Sequence, residues 1–136
     1  MRLACAGMNP QLLQWNLVFA WGWIVLGFLS GMAMGLCFHR EEWLGGYGSW
    51  PRRLYRLGHI SFFGLGFANL VFWVTARLLP AAPASLDVAS VAFLIGGATM
   101  PLCCAIAAHA KPARHLFAIP VISLLVAGIT TFIALL

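Results

Sequence analysis

Long apolar stretches separated by short polar turns make up most of this chain. The stretches lie at about 12–38, 54–79, 86–110 and 116–136. About 20 consecutive apolar residues are enough for an α-helix to cross the hydrocarbon core of a bilayer. The pattern therefore predicts an all-α integral membrane protein with four transmembrane helices, forming a single domain over residues 1–136.

The connections between the predicted spans indicate how the helices are arranged. Residues 80–85 contain two prolines, and the connection Lys-Pro-Ala-Arg at 111–114 is shorter still. Connections of this length hold sequential helices side by side and opposite in direction. We therefore expect an antiparallel up-down bundle.

The few basic residues predict the orientation in the membrane. The turns at 39–53 and 110–115 are flanked by most of them, namely Arg40, Arg52, Arg53, Arg56, Lys111 and Arg114. Arg2 and Arg77 lie at the opposite ends of the spans. The excess of Lys and Arg in cytoplasmic loops assigns the two turns to the cytoplasm and both termini to the non-cytoplasmic side. We expect a bacterial cytoplasmic membrane, or an energy-transducing membrane derived from one.

The composition argues against several classes of function. Hydrophobic residues make up 62% of the chain and charged residues 8%, whereas soluble domains carry about 25% charged residues. The net charge of +5 comes from basic residues at span ends, so it does not indicate nucleic-acid binding. The acids Glu41, Glu42 and Asp87 lie near span ends, and no hydrolase nucleophile with a base is recognisable. We therefore expect neither an enzyme nor an acid-dependent transporter.

His59 is the one histidine inside a predicted span, and it is the leading candidate for function. An imidazole in hydrocarbon is costly unless it has a partner. Helical spacing places Arg56, Phe62 and Phe63 on or near its face, and Met34 lies at a similar depth on the first span. These residues predict contact with haem b, a quinone headgroup or a chlorophyll-type pigment, with bound lipid nearby.

Alternatives for His59 stay open, among them a proton relay. No second histidine lies at the same depth, which argues against a bis-histidine haem within this chain, although His–Met ligation with Met34 remains possible. The simpler alternative is an imidazole hydrogen-bonded to a backbone carbonyl or to a serine on a neighbouring helix.

Small residues on the first span predict a close helix contact. Gly27, Gly31 and Gly35 recur at every fourth residue, which places them on one face and lets a second surface approach the backbone. That surface could be another helix of this chain, a partner subunit or a flat cofactor; packing against a partner is the leading expectation. Asn16 and Asn69, amides within spans, are expected to tie helices together by hydrogen bonds.

The turn at 39–51 is the longest connection and contains three aromatic residues among glycines, Trp43, Tyr47 and Trp50. Amphipathic rings of this kind rest in the headgroup layer of a membrane. The turn therefore predicts an interfacial anchor or a docking surface for a partner subunit.

Cys103 and Cys104 form a vicinal pair within the third span. Together with Met34 they offer the soft sulfur ligands that copper(I) and related ions prefer. The pair is similar to that of mercury transport proteins, but no Cys-x-x-Cys accompanies it. The pattern indicates a soft-metal carrier or ordinary packing residues, since cysteine commonly behaves as a small apolar side chain.

These features together predict a small, non-catalytic subunit of a larger energy-transducing membrane complex, either an electron-transfer or a photosynthetic one. Its partners would be other integral membrane subunits and the lipid bilayer. A redox membrane anchor that uses His59 is the alternative, and a soft-metal carrier that uses the vicinal cysteines is the third class.

Overall fold

The computed structural model describes residues 7–136 of the chain and shows an all-helical architecture. The α-helices are α1 Pro10–Cys37, α2 Trp50–Leu78, α3 Ser85–His109 and α4 Ala118–Ala134. Short 3-10 helices lie at Trp43–Gly45 and Lys111–Phe117. Within residues 7–136, four helical segments are long and apolar enough to cross a membrane, the last being Lys111–Ile133. The prediction of an all-α chain with four such segments is confirmed.

The helix α2 begins earlier than the apolar pattern predicted, at Trp50 instead of near residue 54. Ser49 caps it, because its Oγ accepts a hydrogen bond from the amide of Arg52 at 3.3 Å. Pro51 lies in the first turn, where its missing N–H costs nothing. His59 therefore lies about 13 Å along the helix axis from the first residue of α2.

Neighbouring helices in the sequence are also neighbours in space, since α1 packs on α2, α2 on α3 and α3 on α4. The ends of α1 and α3 and the start of α2 meet at one end of the molecule, which we call the basic end. There the indole Nε1 of Trp50 donates to the carbonyl of Ala107 at 2.8 Å. The helix α4 packs mainly against α3 and buries only Pro120 and Ala127.

A buried polar cluster joins α1, α2 and α3 in the other half of the molecule. Nδ2 of Asn16 donates to Oδ1 of Asn69 at 2.8 Å and to the carbonyl of Ser90 at 3.3 Å. The hydroxyl of Ser90 donates in return to Oδ1 of Asn16, and all three residues are fully buried. The predicted role of Asn16 and Asn69 in tying helices together is confirmed.

Candidate functional site

His59 lies at the contact between α1 and α2, where a chain of hydrogen bonds fixes its imidazole. Nδ1 of His59 lies 2.9 Å from Oγ of Ser30, and that hydroxyl donates to the carbonyl of Gly27 at 3.0 Å. A hydroxyl has one proton to donate. When that proton points to Gly27, Ser30 accepts a hydrogen bond from Nδ1–H. When it points to His59, Ser30 donates to Nδ1, so the contact fits either tautomer of a neutral imidazole.

The hydrogen bond to Ser30 is a contact with a serine on a neighbouring helix, as the simpler alternative for His59 predicted. It satisfies Nδ1 alone. Among residues 7–136, no group forms a hydrogen bond with Nε2 of His59. The contact with Ser30 therefore occupies one nitrogen of the ring and not the other.

A cavity of about 340 Å³ lies beside His59, between α1, α2 and α3. Its lining includes Met34, Trp43, Leu54, Tyr55, Phe62 and Cys104. Binding sites for small molecules have volumes of about 300–1,000 Å³ and are lined mainly by apolar and aromatic side chains with a few polar groups. The cavity has this size and an almost wholly apolar wall, and His59 and Ser30 are among the residues that line it.

The predicted cofactor-binding residues are only partly brought together. Met34 and Phe62 line the cavity with His59. Phe63 lies outside the lining and packs edge-on against the imidazole, with ring centroids 5.5 Å apart. Arg56 is also outside the lining; its guanidinium lies 4.2 Å from the ring centroid of Tyr47. Because Arg56 lies near the start of α2, its side chain extends toward the turn that precedes this helix.

The glycine face of α1 is largely used inside the chain. An ideal Cβ on Gly27 would fall 2.8 Å from the ring of Phe63, and one on Gly31 would fall 2.8 Å from Cε1 of His59. These two glycines therefore lie against aromatic rings of α2, which occupy the space above them. Gly35 has no such neighbour within 4 Å.

The three aromatic residues of the turn at 39–51 have different surroundings. Trp43 lines the cavity, and Trp50 is held by its hydrogen bond to α3. The Tyr47 side chain is 71% exposed. Of the residues predicted to pack against a partner, Tyr47 therefore presents the most open ring, while Trp43 forms part of the His59 site.

Arg52 secures this turn, a role that the sequence pattern did not reveal. Its guanidinium carbon lies 5.5 Å from the ring centroids of Phe38, Trp43 and Tyr47, and Nη1 donates to the carbonyl of Glu41 at 3.2 Å. The residue is only 6% exposed. The sequence contains one indication of this role, because three aromatic residues closely precede an arginine in the first turn of a helix. The charge pattern alone assigns Arg52 only to the orientation of the chain in the membrane.

Tyr55 connects the cavity wall to the surface of the basic end. Its hydroxyl lies 2.9 Å from Nε2 of His109, an exposed residue that ends α3. The spacing of His59 and Tyr55 places both on one face of α2, but the partner on α3 could not be inferred without knowing how the helices pack.

The vicinal cysteines have different surroundings. Cys104 lines the cavity, whereas Sγ of Cys103 lies 3.5 Å from the carbonyl oxygen of Leu116. Consecutive side chains on a helix point about 100° apart, which explains why the two thiols have different neighbours. Cys5 lies outside the described residues. Within residues 7–136, no group of three or more His, Cys, Asp or Glu side chains is placed to hold a metal ion.

No family model matches the chain, and no curated protein or solved structure is detectably similar to it. Function must therefore be argued from the chemistry of the site. The site offers an apolar cavity between helices, an imidazole whose Nε2 has no hydrogen-bond partner among residues 7–136, and a wall of aromatic and sulfur-containing side chains. That arrangement suits the binding and orientation of a ligand.

Proposed function

We propose that this chain is a small, non-catalytic integral membrane subunit of an energy-transducing complex, either an electron-transfer or a photosynthetic one, in which His59 contacts a cofactor. The observation that carries the proposal is the cavity beside His59 together with the hydrogen bond from Nδ1 to Ser30. An imidazole held through Nδ1 presents Nε2 either to a metal centre or to a hydrogen-bond donor.

The composition of the cavity wall supports a binding role. Glu41, Glu42 and Asp87, the acids of the chain, are all outside the lining of the cavity. The protein would hold and orient the cofactor, while the cofactor and the partner subunits would carry out the redox chemistry. Other integral membrane subunits and lipid would cover the apolar outer surface; the segment that contains α4 is the least buried of the four apolar helical segments.

The proposed arrangement in the membrane is an antiparallel bundle with the basic end in the cytoplasm and both termini on the non-cytoplasmic side of a bacterial membrane. It is supported by the contact of Trp50, at the start of α2, with Ala107, near the end of α3. Single cysteines at Gly48 and Ala84, in a variant without the native cysteines, test it. A membrane-impermeant maleimide added to intact cells should label position 84 and leave position 48 unlabelled.

A second candidate function is a redox membrane anchor in which His59 and Met34 ligate haem b. The observation that favours it is that both side chains line the same cavity. Thioether–imidazole ligation of this kind occurs in cytochromes. The soft-metal carrier has no such observation in its favour, since only Cys104 of the vicinal pair lines this cavity.

Purification of the tagged chain from its native membrane tests the proposed function. We expect other integral membrane subunits in a fixed ratio, together with an extractable cofactor that is lost in His59→Ala and kept in His115→Ala, an exposed control. A Soret band with reducible α-bands would indicate the haem anchor, and red or near-infrared absorption a chlorophyll-type pigment. A colourless, cofactor-free chain that purifies alone would contradict the proposal.

A further inference from the structure

We infer that the start of α2 binds the headgroup phosphate of an anionic phospholipid, with Arg53 and Arg56 as the residues that contact it. The site lies at the basic end of the molecule. The inference goes beyond the proposed function and does not depend on it, because neither His59 nor a cofactor takes part.

Three arginines lie in the first two turns of α2, where their charges are unfavourable. Arg52, Arg53 and Arg56 are at the N-terminal end of the helix, and its first turn contains no acidic residue. Residues three or four positions apart on a helix are neighbours, so Arg56 lies beside both other arginines, and like charges in these positions repel each other. The positive end of the helix dipole adds to the repulsion. A bound anion would relieve both effects.

The contacts of these arginines inside the chain leave their charge without a bonded carboxylate. Within residues 7–136, the hydrogen bonds of the Arg52 and Arg56 side chains go to the main-chain carbonyls of Glu41 and Tyr47. Both guanidinium groups also lie near the ring of Tyr47, with Cζ 5.5 Å from the ring centroid for Arg52 and 4.2 Å for Arg56. Arg52 is only 6% exposed, and its Nε has no hydrogen-bond partner among these residues. Two positive charges are therefore held around one ring at the start of the helix.

Arg53 and Arg56 are placed to reach an anion at the surface. Arg53 is exposed and Arg56 is half-buried, and the two lie about one turn apart on the same side of α2. A guanidinium group binds phosphate through paired N–H donors, a geometry that a lysine ammonium does not offer. Arg52 is covered by the turn and contributes its charge from the interior.

The surface that continues from Arg53 favours a phospholipid over a soluble phosphate. Leu57 and Ile60 follow Arg53 on the same exposed face of α2, and this helix is long and apolar enough to cross a membrane. Tyr47 and Trp50 are exposed at the same end, as is typical of aromatic residues at the level of lipid headgroups. A phospholipid with its phosphate on Arg53 would have its acyl chains along Leu57 and Ile60.

Lipid binding to the purified full chain, measured by native mass spectrometry from detergent, tests the inference. The probes are phosphatidylglycerol, which is anionic, and phosphatidylcholine, which is zwitterionic, and the dissociation constant of the first bound lipid is measured for each. The test variant is the pair Arg53→Gln/Arg56→Gln. The matched control is the pair Lys111→Gln/Arg114→Gln, which removes two exposed charges from the same end of the molecule.

We expect the wild-type chain to bind phosphatidylglycerol at least about fivefold more tightly than phosphatidylcholine, because one arginine near an anionic headgroup contributes about that factor. The glutamine pair at 53 and 56 should lose this preference, and the control pair should keep most of it. Arg53→Lys/Arg56→Lys keeps both charges and should still prefer the anionic lipid. This variant separates the loss of charge from a change in the folding of α2.

Other results would overturn the inference. Equal affinity of the wild-type chain for the two lipids would mean that no anionic headgroup site exists. An equal loss of preference in the control pair would mean that the charge acts from the whole basic end and not from the start of α2. Loss of the preference in the lysine pair would mean that the substitutions act through the structure of the helix and not through charge.

Two further outcomes would assign the arginines to another occupant. Displacement of phosphatidylglycerol by an equal concentration of glycerol 3-phosphate, which has no acyl chains, would indicate a site for a soluble anion. A protein, and no lipid, cross-linked to a photoreactive residue at position 53 in the native membrane would indicate a partner subunit. Either result would overturn the lipid site and leave the proposed role of His59 intact.

Discussion

Gly31 lies directly against the imidazole of His59, and an ideal Cβ at position 31 would fall 2.8 Å from Cε1 of that ring. Because Gly31 has no side chain, the imidazole of His59 can lie between α1 and α2. Because the neighbour is a ring held by a hydrogen bond to Ser30, it cannot give way by a simple rotation.

We predict that Gly31→Ala displaces His59 and lowers the free energy of unfolding by about 1–3 kcal/mol, the usual cost of overpacking a close contact. Gly35→Ala is the matched control, because it lies one turn along the same face with no such neighbour within 4 Å. SDS titrations followed by circular dichroism measure both variants. Equal stability of the two would show that the helices do not approach as closely at Gly31 as the structure indicates.

The hydropathy pattern was sufficient to predict the helical segments, because each span is long and its composition is unambiguous. It placed the start of α2 too late, since the cap Ser49 and Pro51 are polar or turn-forming residues that hydropathy does not count. It also made His59 the leading candidate, because an imidazole is rare in apolar surroundings, and His59 lines the cavity.

The contacts of the site could not be predicted, because they depend on how the helices rotate and pack. The spacing of Gly27 and Gly31 indicated a packing face but not that α2 would occupy it. Cys103 and Cys104 are adjacent in sequence, yet only Cys104 faces the cavity. Arg52 fitted the charge pattern so well that its buried position went unpredicted.

The second prediction concerns Arg52 and the turn that carries Trp43. Lysine at position 52 keeps the charge but loses the planar group that lies close to three rings and the bond to the carbonyl of Glu41. Cation–π contacts are worth about 0.5–2 kcal/mol each according to their exposure. We therefore expect the turn to open more often in Arg52→Lys than in the wild-type chain.

A glutamate-specific protease measures this opening, because Glu41 and Glu42 are the only glutamates of the chain and both lie in the turn. Cleavage of Arg52→Lys should be about tenfold faster than that of wild type, as expected for a loss of about 1.4 kcal/mol. Arg53→Lys, the exposed neighbouring arginine, is the control and should be cleaved at the wild-type rate. Equal rates for the two variants would mean that Arg52 does not hold the turn closed.

The third prediction concerns the buried cluster of Asn16, Asn69 and Ser90. Asn16→Leu keeps the size of the side chain but removes its bonds to α2 and α3. Hydrogen bonds between transmembrane helices are worth about 0.6 kcal/mol on average and up to about 1.7 kcal/mol. We expect a loss of about 1–2 kcal/mol in the free energy of unfolding, measured by SDS titration.

Thr131→Val is the control for Asn16→Leu, because the Thr131 hydroxyl donates only to the carbonyl of Ala127 on its own helix, at 2.7 Å. It should leave the free energy of unfolding nearly unchanged. If both variants lost the same amount, the effect of Asn16 would come from general polarity and not from the connection between helices.

The fourth prediction concerns the end of the molecule opposite the basic end, where Asp87 on α3 anchors the start of α1. Oδ1 of Asp87 accepts a hydrogen bond from the amide of Asn9 at 2.9 Å, and the side chain of Asn9 in turn caps α1 through the amide of Gln11 at 2.9 Å. Asp87→Ala removes the acceptor, so the first turn of α1 should fray. Asp87→Asn keeps an acceptor oxygen and should preserve most of the protection.

Amide hydrogen exchange at Asn9 and Gln11 measures the effect. We expect exchange at least about fivefold faster in Asp87→Ala than in the wild type, equivalent to about 1 kcal/mol for one hydrogen bond. If exchange were equally fast in Asp87→Asn, the anchoring would come from the negative charge of Asp87 near the two helix N-termini and not from the hydrogen bond.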